Sequence, residues 1–100
     1  MDLRNRVQQQ GNFLTKSLLP DAPANVTASI PTATTVTLTW DAVGGASYRI
    51  YKDNVQVGTS DTNTYKVTGL TTATAYNFEV TAVINEVESL RSNKITVTTA

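Results

Sequence analysis

The chain predicts an all-β fold, a sandwich of about seven short strands, and three observations carry that prediction. Tyr76, Phe78, Val80 and Ala82 alternate with Asn77, Glu79 and Thr81, the period-two pattern of a strand with one buried face. Similar short runs recur along the chain with turn-forming residues between them. The 18 threonines fall mostly within those runs, where a β-branched hydroxyl residue suits the wet face of an antiparallel sheet.

Residues 1–22 stand apart as an arm and linker: three consecutive glutamines, Gly11, then an apolar cluster of Phe13, Leu14, Leu18 and Leu19 ending at Pro20. Asp2 can cap a short helix with Leu3 and Val7 on one face and Gly11 at its end. A helix of fewer than ~12 residues is marginal in water, so the arm, helical or extended, needs a surface to lie on. Pro20-Asp21-Ala22-Pro23 stiffens the chain, and residues 23–100 form the sandwich.

The first strand is expected over Asn25 to Ile30, with Val26, Ala28 and Ile30 inward, closed by Pro31. Thr35 to Trp40 completes a hairpin with it, with Val36, Leu38 and Trp40 inward and Trp40 at the centre of the core. Gly44-Gly45 marks a turn, and Ser47 to Lys52 follows, with Tyr48 and Ile50 on one face and Arg49 and Tyr51 on the other. Asp53-Asn54 tolerates positive φ at both positions, so residues 51–57 read as a tight two-residue hairpin leading to a polar loop over Gly58 to Asn63. Thr64 to Thr68, with Tyr65 and Val67 alternating, leads through the turn at Gly69-Leu70 into the strand Ala75 to Ile84. Asn85-Glu86 turns the chain before a last strand, Lys94 to Thr98, that closes against it.

Eight basic and eight acidic residues cancel, so no long-range field recruits nucleic acid or an anionic membrane. The chain has no cysteine and no histidine, which removes disulfides, thiolate zinc sites, a cysteine nucleophile and the commonest general base and metal ligand. No run of ~18 apolar residues could span a bilayer, and residues 1–10 hold no apolar core of a signal peptide, so the sequence reads as soluble without a classical export signal. Asp41, Asp53, Asp61, Glu79, Glu86 and Glu88 lie in different segments, with no spacing that pairs two carboxylates for acid–base work or metal binding. No enzyme activity and no cofactor is expected. Asn25-Val26-Thr27 fits a glycosylation sequon that nothing else in the sequence supports.

Residues 23–99 resemble a fibronectin type III domain of the bacterial and bacteriophage variety. The resemblance is carried by Pro23, Leu38-Thr39-Trp40, Tyr48-Arg49-Ile50-Tyr51, and Leu70 to Tyr76 ahead of Phe78-Glu79-Val80-Thr81-Ala82. It implies a seven-stranded Greek-key sandwich with a core of Trp40, Tyr48, Ile50, Leu70, Tyr76, Phe78 and Val80, and a tyrosine corner in which the Tyr76 hydroxyl bonds back to the upstream backbone. Thr72 stands where the family usually has proline, Lys52 where it often has an inward apolar residue, and the adhesion tripeptide of the family is absent from Asn85-Glu86-Val87-Glu88.

Two surfaces are candidates for binding. Tyr51 and Val83 are expected to form a small outward apolar patch with Arg49 nearby, and the turn residues Asn85, Glu86 and Val87 could meet a ligand. The arm residues Leu3, Val7, Phe13, Leu14, Leu18 and Leu19 are the stronger partner-binding candidates, because they expose more apolar surface than a solvated tail tolerates. The functional expectation is a non-catalytic structural or binding module. In the first reading it is a bacteriophage virion protein, a capsid decoration or tail accessory. Residues 1–19 would anchor it to other structural proteins, and surface carbohydrate would be a second partner. The alternative is a spacer or carbohydrate-proximal domain of a secreted bacterial hydrolase.

Overall fold

A computed structural model describes residues 19–100, and every regular element in them is a strand. Strands β1 (Thr27–Ala28), β2 (Val36–Thr39) and β5 (Thr64–Val67) form one antiparallel sheet in the order β1-β2-β5. The second sheet places β4 (Val55–Ser60), β3 (Ser47–Lys52) and β6 (Ala75–Ile84) side by side, with β7 (Val87–Glu88) and β8 (Ile95–Thr98) both on the far edge of β6. Counting β7 and β8 as one interrupted edge gives the seven-stranded sandwich that the sequence predicts.

Alternation builds the core. Val36, Leu38 and Trp40 from β2 and its end meet Tyr48 and Ile50 of β3 and Phe78, Val80 and Ala82 of β6, all buried, with Val26, Val67, Leu70 and Val97 around them. The Trp40 ring stands edge-on to Tyr48, centroids 5.2 Å apart, an arrangement in which the edge of one ring faces the electron-rich face of the other. The Tyr48 hydroxyl continues this contact outward by accepting from Val43 N at 2.7 Å and donating to Val43 O. Tyr76 is only half-buried, and its oxygen accepts the Thr71 N–H at 2.8 Å, which pins the turn ahead of β6. That accepted bond favours the phenolate and draws the Tyr76 hydroxyl below the usual tyrosine range. Lys52 lies over the Tyr76 ring at 5.2 Å, where a cation replaces an inward apolar side chain.

Both expected two-residue turns have left-handed backbone at both positions: Asp53 and Asn54 have φ of 49° and 71°, Asn85 and Glu86 of 52° and 67°. The first is also tied to β6, since Asp53 N donates to Asn77 O and Asp53 Oδ1 accepts from Asn77 N.

Three segments depart from expectation. The first strand pairs for two residues only, Ala28 is exposed and Ile30 is 93% exposed. Pro31 offers no N–H to extend the pairing past Ile30, and a separate turn closes the hairpin, with the Thr32 hydroxyl accepting from Thr34 N and Thr35 N. Residues 58–60 belong to β4 rather than to a loop; a register shift between Ile50 and Tyr51 leaves Val57 as the extra residue and lets pairing resume at Gly58. Gly58 fits there because a Cβ would lie 2.1 Å from the Tyr65 hydroxyl. Finally, Val87–Glu88 is a strand of its own, separated from β8 by residues 89–94.

Candidate functional site

The outer face of the larger sheet carries the most organised set of polar side chains among the described residues. Alternation that turns Tyr48 and Ile50 inward turns Arg49 and Tyr51 outward, and the register sets Arg49 opposite Thr81 and Tyr51 opposite Glu79. The Asn85-Glu86 turn then folds β7 back so that Glu88 lies opposite Val83, diagonally beside Thr81.

Glu88 is the centre of this cluster. Its carboxylate accepts from Arg49 Nη1 at 2.9 Å, from Thr81 Oγ1 at 2.7 Å and from the Tyr51 hydroxyl. Partial burial pushes the Glu88 carboxyl up, but the bonds from Thr81 and Tyr51 and the Arg49 charge outweigh it, and the group titrates below the ordinary glutamate range. Burial, with the Glu88 carboxylate alongside, raises the Tyr51 hydroxyl above the ordinary tyrosine range. The Arg91 guanidinium covers the Tyr51 ring at 4.0 Å, and its Nη1 bonds Glu79 at 3.0 Å and Asn54 at 3.1 Å. Under this cover Thr81, on the face expected to be wet, is only 1% exposed.

Chemically, the cluster is satisfied within itself. The carboxylates of Glu88 and Glu79 each face an arginine, the Thr81 and Tyr51 hydroxyls are spent as donors to a Glu88 carboxylate that Arg49 already neutralises, and no described residues form a group able to hold a metal ion. No helix among the described residues is long and apolar enough to cross a membrane.

The apolar patch expected from Tyr51 and Val83 is not formed. Tyr51 pairs with Glu79 and Val83 with Ser47, four residues farther along each strand, and Tyr51 is roofed by Arg91. Asn85 and Glu86 are exposed at the hairpin tip, and Val87 is exposed on β7. Leu19 is half-buried in a shallow depression with Pro20, Asp21, Ala22 and Leu90. Leu3, Val7, Phe13, Leu14 and Leu18 lie outside the described residues. Sequence reasoning missed Glu88 and Arg91 as organising residues. One signal was present: counting back in twos from Val97 and Ile95 puts Asn93, Arg91 and Ser89 inward and Leu90 outward, a phase that no single strand against this core would adopt.

A family profile described as fibronectin type III domain matches residues 21–98. The chain belongs to that family. Among known proteins it is 45% identical over 67 residues to chitinase Chi52 of Paenibacillus xylanexedens, a match covering 63% of this chain and 13% of that protein. It is 42% identical over 72 residues to exoglucanase B of Cellulomonas fimi, covering 66% of this chain and 7% of that protein. A solved fibronectin type III-like protein from Clostridium thermocellum superposes with a TM-score of 0.70 at 31% identity, covering 77% of this chain and 90% of that one. This fibronectin type III domain therefore spans a small part of the length of the two enzymes it matches. The domain itself is a non-catalytic module, and its Tyr76–Thr71 bond is the tyrosine corner that the resemblance implies.

Proposed function

We propose that this fibronectin type III domain is a spacer or carbohydrate-proximal accessory module of a secreted bacterial polysaccharide hydrolase. The observation that carries the reading is the 45% and 42% identity to segments within a chitinase and an exoglucanase. The geometry agrees with a passive role: the most organised polar cluster among the described residues is closed on itself, and the sandwich offers a rigid body that sets a distance between neighbouring segments.

A virion-associated protein is the second reading, and one observation favours it: the apolar cluster Phe13, Leu14, Leu18 and Leu19 ahead of the sandwich suits an anchor on other structural proteins. Immunoblotting fractions of the source culture with an antibody against residues 20–100 separates the two. The module reading expects the signal in the medium on a polypeptide far larger than the 10.8 kDa of this chain. A 10.8 kDa band that sediments with particles overturns it in favour of the virion.

A further inference from the structure

Residues 87–93 are held to the sandwich mainly by side chains. β7 makes two residue pairs with β6 and β8 resumes only at Ile95, so the stretch between lacks a regular ladder. Two serines stand in for it. Ser89 N donates to Ala82 O while Ser89 Oγ accepts from Ala82 N at 2.9 Å, and Ser92 N donates to Val80 O while Ser92 Oγ accepts from Val80 N at 2.9 Å. Apolar burial adds little here, because Leu90 is 71% exposed and Val87 is also exposed. At one end of the stretch Glu88 is gripped by Arg49 and Tyr51 from β3 and Thr81 from β6. At the other end the Asn93 carboxamide holds both main-chain groups of Val26, accepting from its N–H at 3.1 Å and donating to its C=O at 3.3 Å. Val26 is the first fully buried residue of the described chain after Pro23, the point where the leading segment joins the core.

We infer that Val87–Asn93 is a latch, in which the Glu88 carboxylate at one end controls through Ser89, Ser92 and Asn93 how firmly Val26, and with it the direction of Pro20–Asn25, is fixed to the sheets. The charged and titratable groups around Glu88 are Arg49 and Tyr51 on β3 and, one step further out, Glu79 on β6 and Arg91 within the latch, which grips Glu79, Asn54 and the Tyr51 ring. Neutralising Glu88 removes the charge that Arg49 faces and leaves Arg91 as the remaining ionic hold. The latch then loosens as a unit, because between Glu88 and Ile95 the two serine pairs, the Arg91 contacts and Asn93 are its hydrogen-bonded attachments among the described residues, and the exposed Leu90 adds only a shallow contact with Leu19 to Ala22. The consequence is a hinge at the leading end of the module that stiffens at neutral pH and slackens in acid, independently of whether the neighbouring segment belongs to a hydrolase or a virion.

Amide hydrogen exchange by NMR on the full chain tests this, using Glu88→Gln at neutral pH and the wild type from about pH 6 to about pH 3.5. The expected result is a loss of protection of about tenfold at the Val26, Val80 and Ala82 amides in Glu88→Gln, and a matching loss in the wild type as Glu88 protonates, with the β2–β5 ladder unchanged. In Glu88→Gln the change across that pH range should be smaller than in the wild type, because only the Arg91–Glu79 hold is left to respond to acid. Asn93→Ala gives the control for a released end: Val26 loses protection at every pH while Val80 keeps it. Undiminished protection of Val26 in Glu88→Gln overturns the latch, as does an equal loss across both sheets, which would report general destabilisation.

Discussion

The two edges of β6 are built by different means. On one side β6 meets β3 over six consecutive residue pairs, from Ser47 with Val83 to Lys52 with Phe78, and the shared inner face is buried and apolar up to Lys52 at its end. On the other side it meets β7 for two pairs and β8 for four, and serine hydroxyls fill the gap. The first edge needs only alternating residues in matched register, because every two added pairs bring ladder bonds and one more layer of buried apolar surface. The second depends, between its two short ladders, on the particular bonds of named side chains. A change at the first edge should therefore cost stability in proportion to the volume removed, whereas at the second it should cost the bond that is lost.

The largest effect is expected where both sheets meet. Trp40→Ala removes the biggest buried side chain and its edge-on contact with Tyr48, and should cost about 3–5 kcal/mol in urea unfolding. A loss below about 1 kcal/mol would mean that the core closes over the gap and that packing against β3 and β6 is looser than the burial of its neighbours implies.

At the broken edge the comparable substitution removes very little volume. Ser92→Ala deletes the acceptor of the buried Val80 N–H and leaves that donor without a partner, so it should cost about 2 kcal/mol despite the loss of a single oxygen. Thr96→Ala, on the same edge where the main-chain ladder is intact and the hydroxyl is exposed, should cost under about 0.5 kcal/mol. If the two serine and threonine variants unfold at the same urea concentration, the hydroxyl is not replacing a ladder bond.

The same contrast decides how much was legible in the sequence. Ser47–Lys52 and Ala75–Ile84 are apparent as strands because apolar residues alternate along each, and both two-residue turns are apparent because Asp53, Asn54 and Asn85 are residue types that tolerate positive φ. The inward set Trp40, Tyr48, Ile50, Phe78 and Val80 follows from the same alternation. Ile30 misleads because an apolar residue two positions after Ala28 keeps the period, although Pro31 ends the pairing that would have buried it. The polar cluster was hidden for another reason: Glu88 reaches Arg49 across 39 positions and Tyr51 across 37, and such contacts depend on which strands become neighbours, which local pattern does not state. Nothing in the local pattern marks Arg91, whose role appears only when the fold puts the Tyr51 ring beneath it.

Charge separates the two edges further. Because the Glu88 carboxyl titrates below its ordinary range, its contribution is complete above the unfolded-state value of about 4.3 and is lost as pH falls through the lower folded-state value. Glu88→Gln should cost about 1 kcal/mol at pH 7, and the difference in melting temperature from the wild type should shrink as pH falls through the lowered folded-state value of Glu88. Trp40→Ala carries no such dependence at its own site, so its cost should stay level over the same range. A Glu88→Gln difference that does not shrink at all as the solution is acidified would place the cost in shape rather than charge.

Among the charged residues the smallest effect is expected at Arg91, although it has the most visible contacts on the sheet face. Its side chain is 38% exposed, and that of its partner Glu79 15%, so water and salt screen part of the attraction and the long side chain loses freedom when it is held. The stacking on Tyr51 adds a contribution that salt weakens less, since the ring and the alkyl stem remain in contact when the ionic attraction is screened. Arg91→Ala should therefore cost about 0.5 kcal/mol in low salt and retain about half of that in 1 M NaCl. Arg91→Lys, which keeps the charge but loses the planar group over the ring, should recover the salt-sensitive half alone. If 1 M NaCl removes the whole effect, Arg91 serves only as a counter-charge to Glu79, and Tyr51 owes its burial to Glu88 without help from the guanidinium above it.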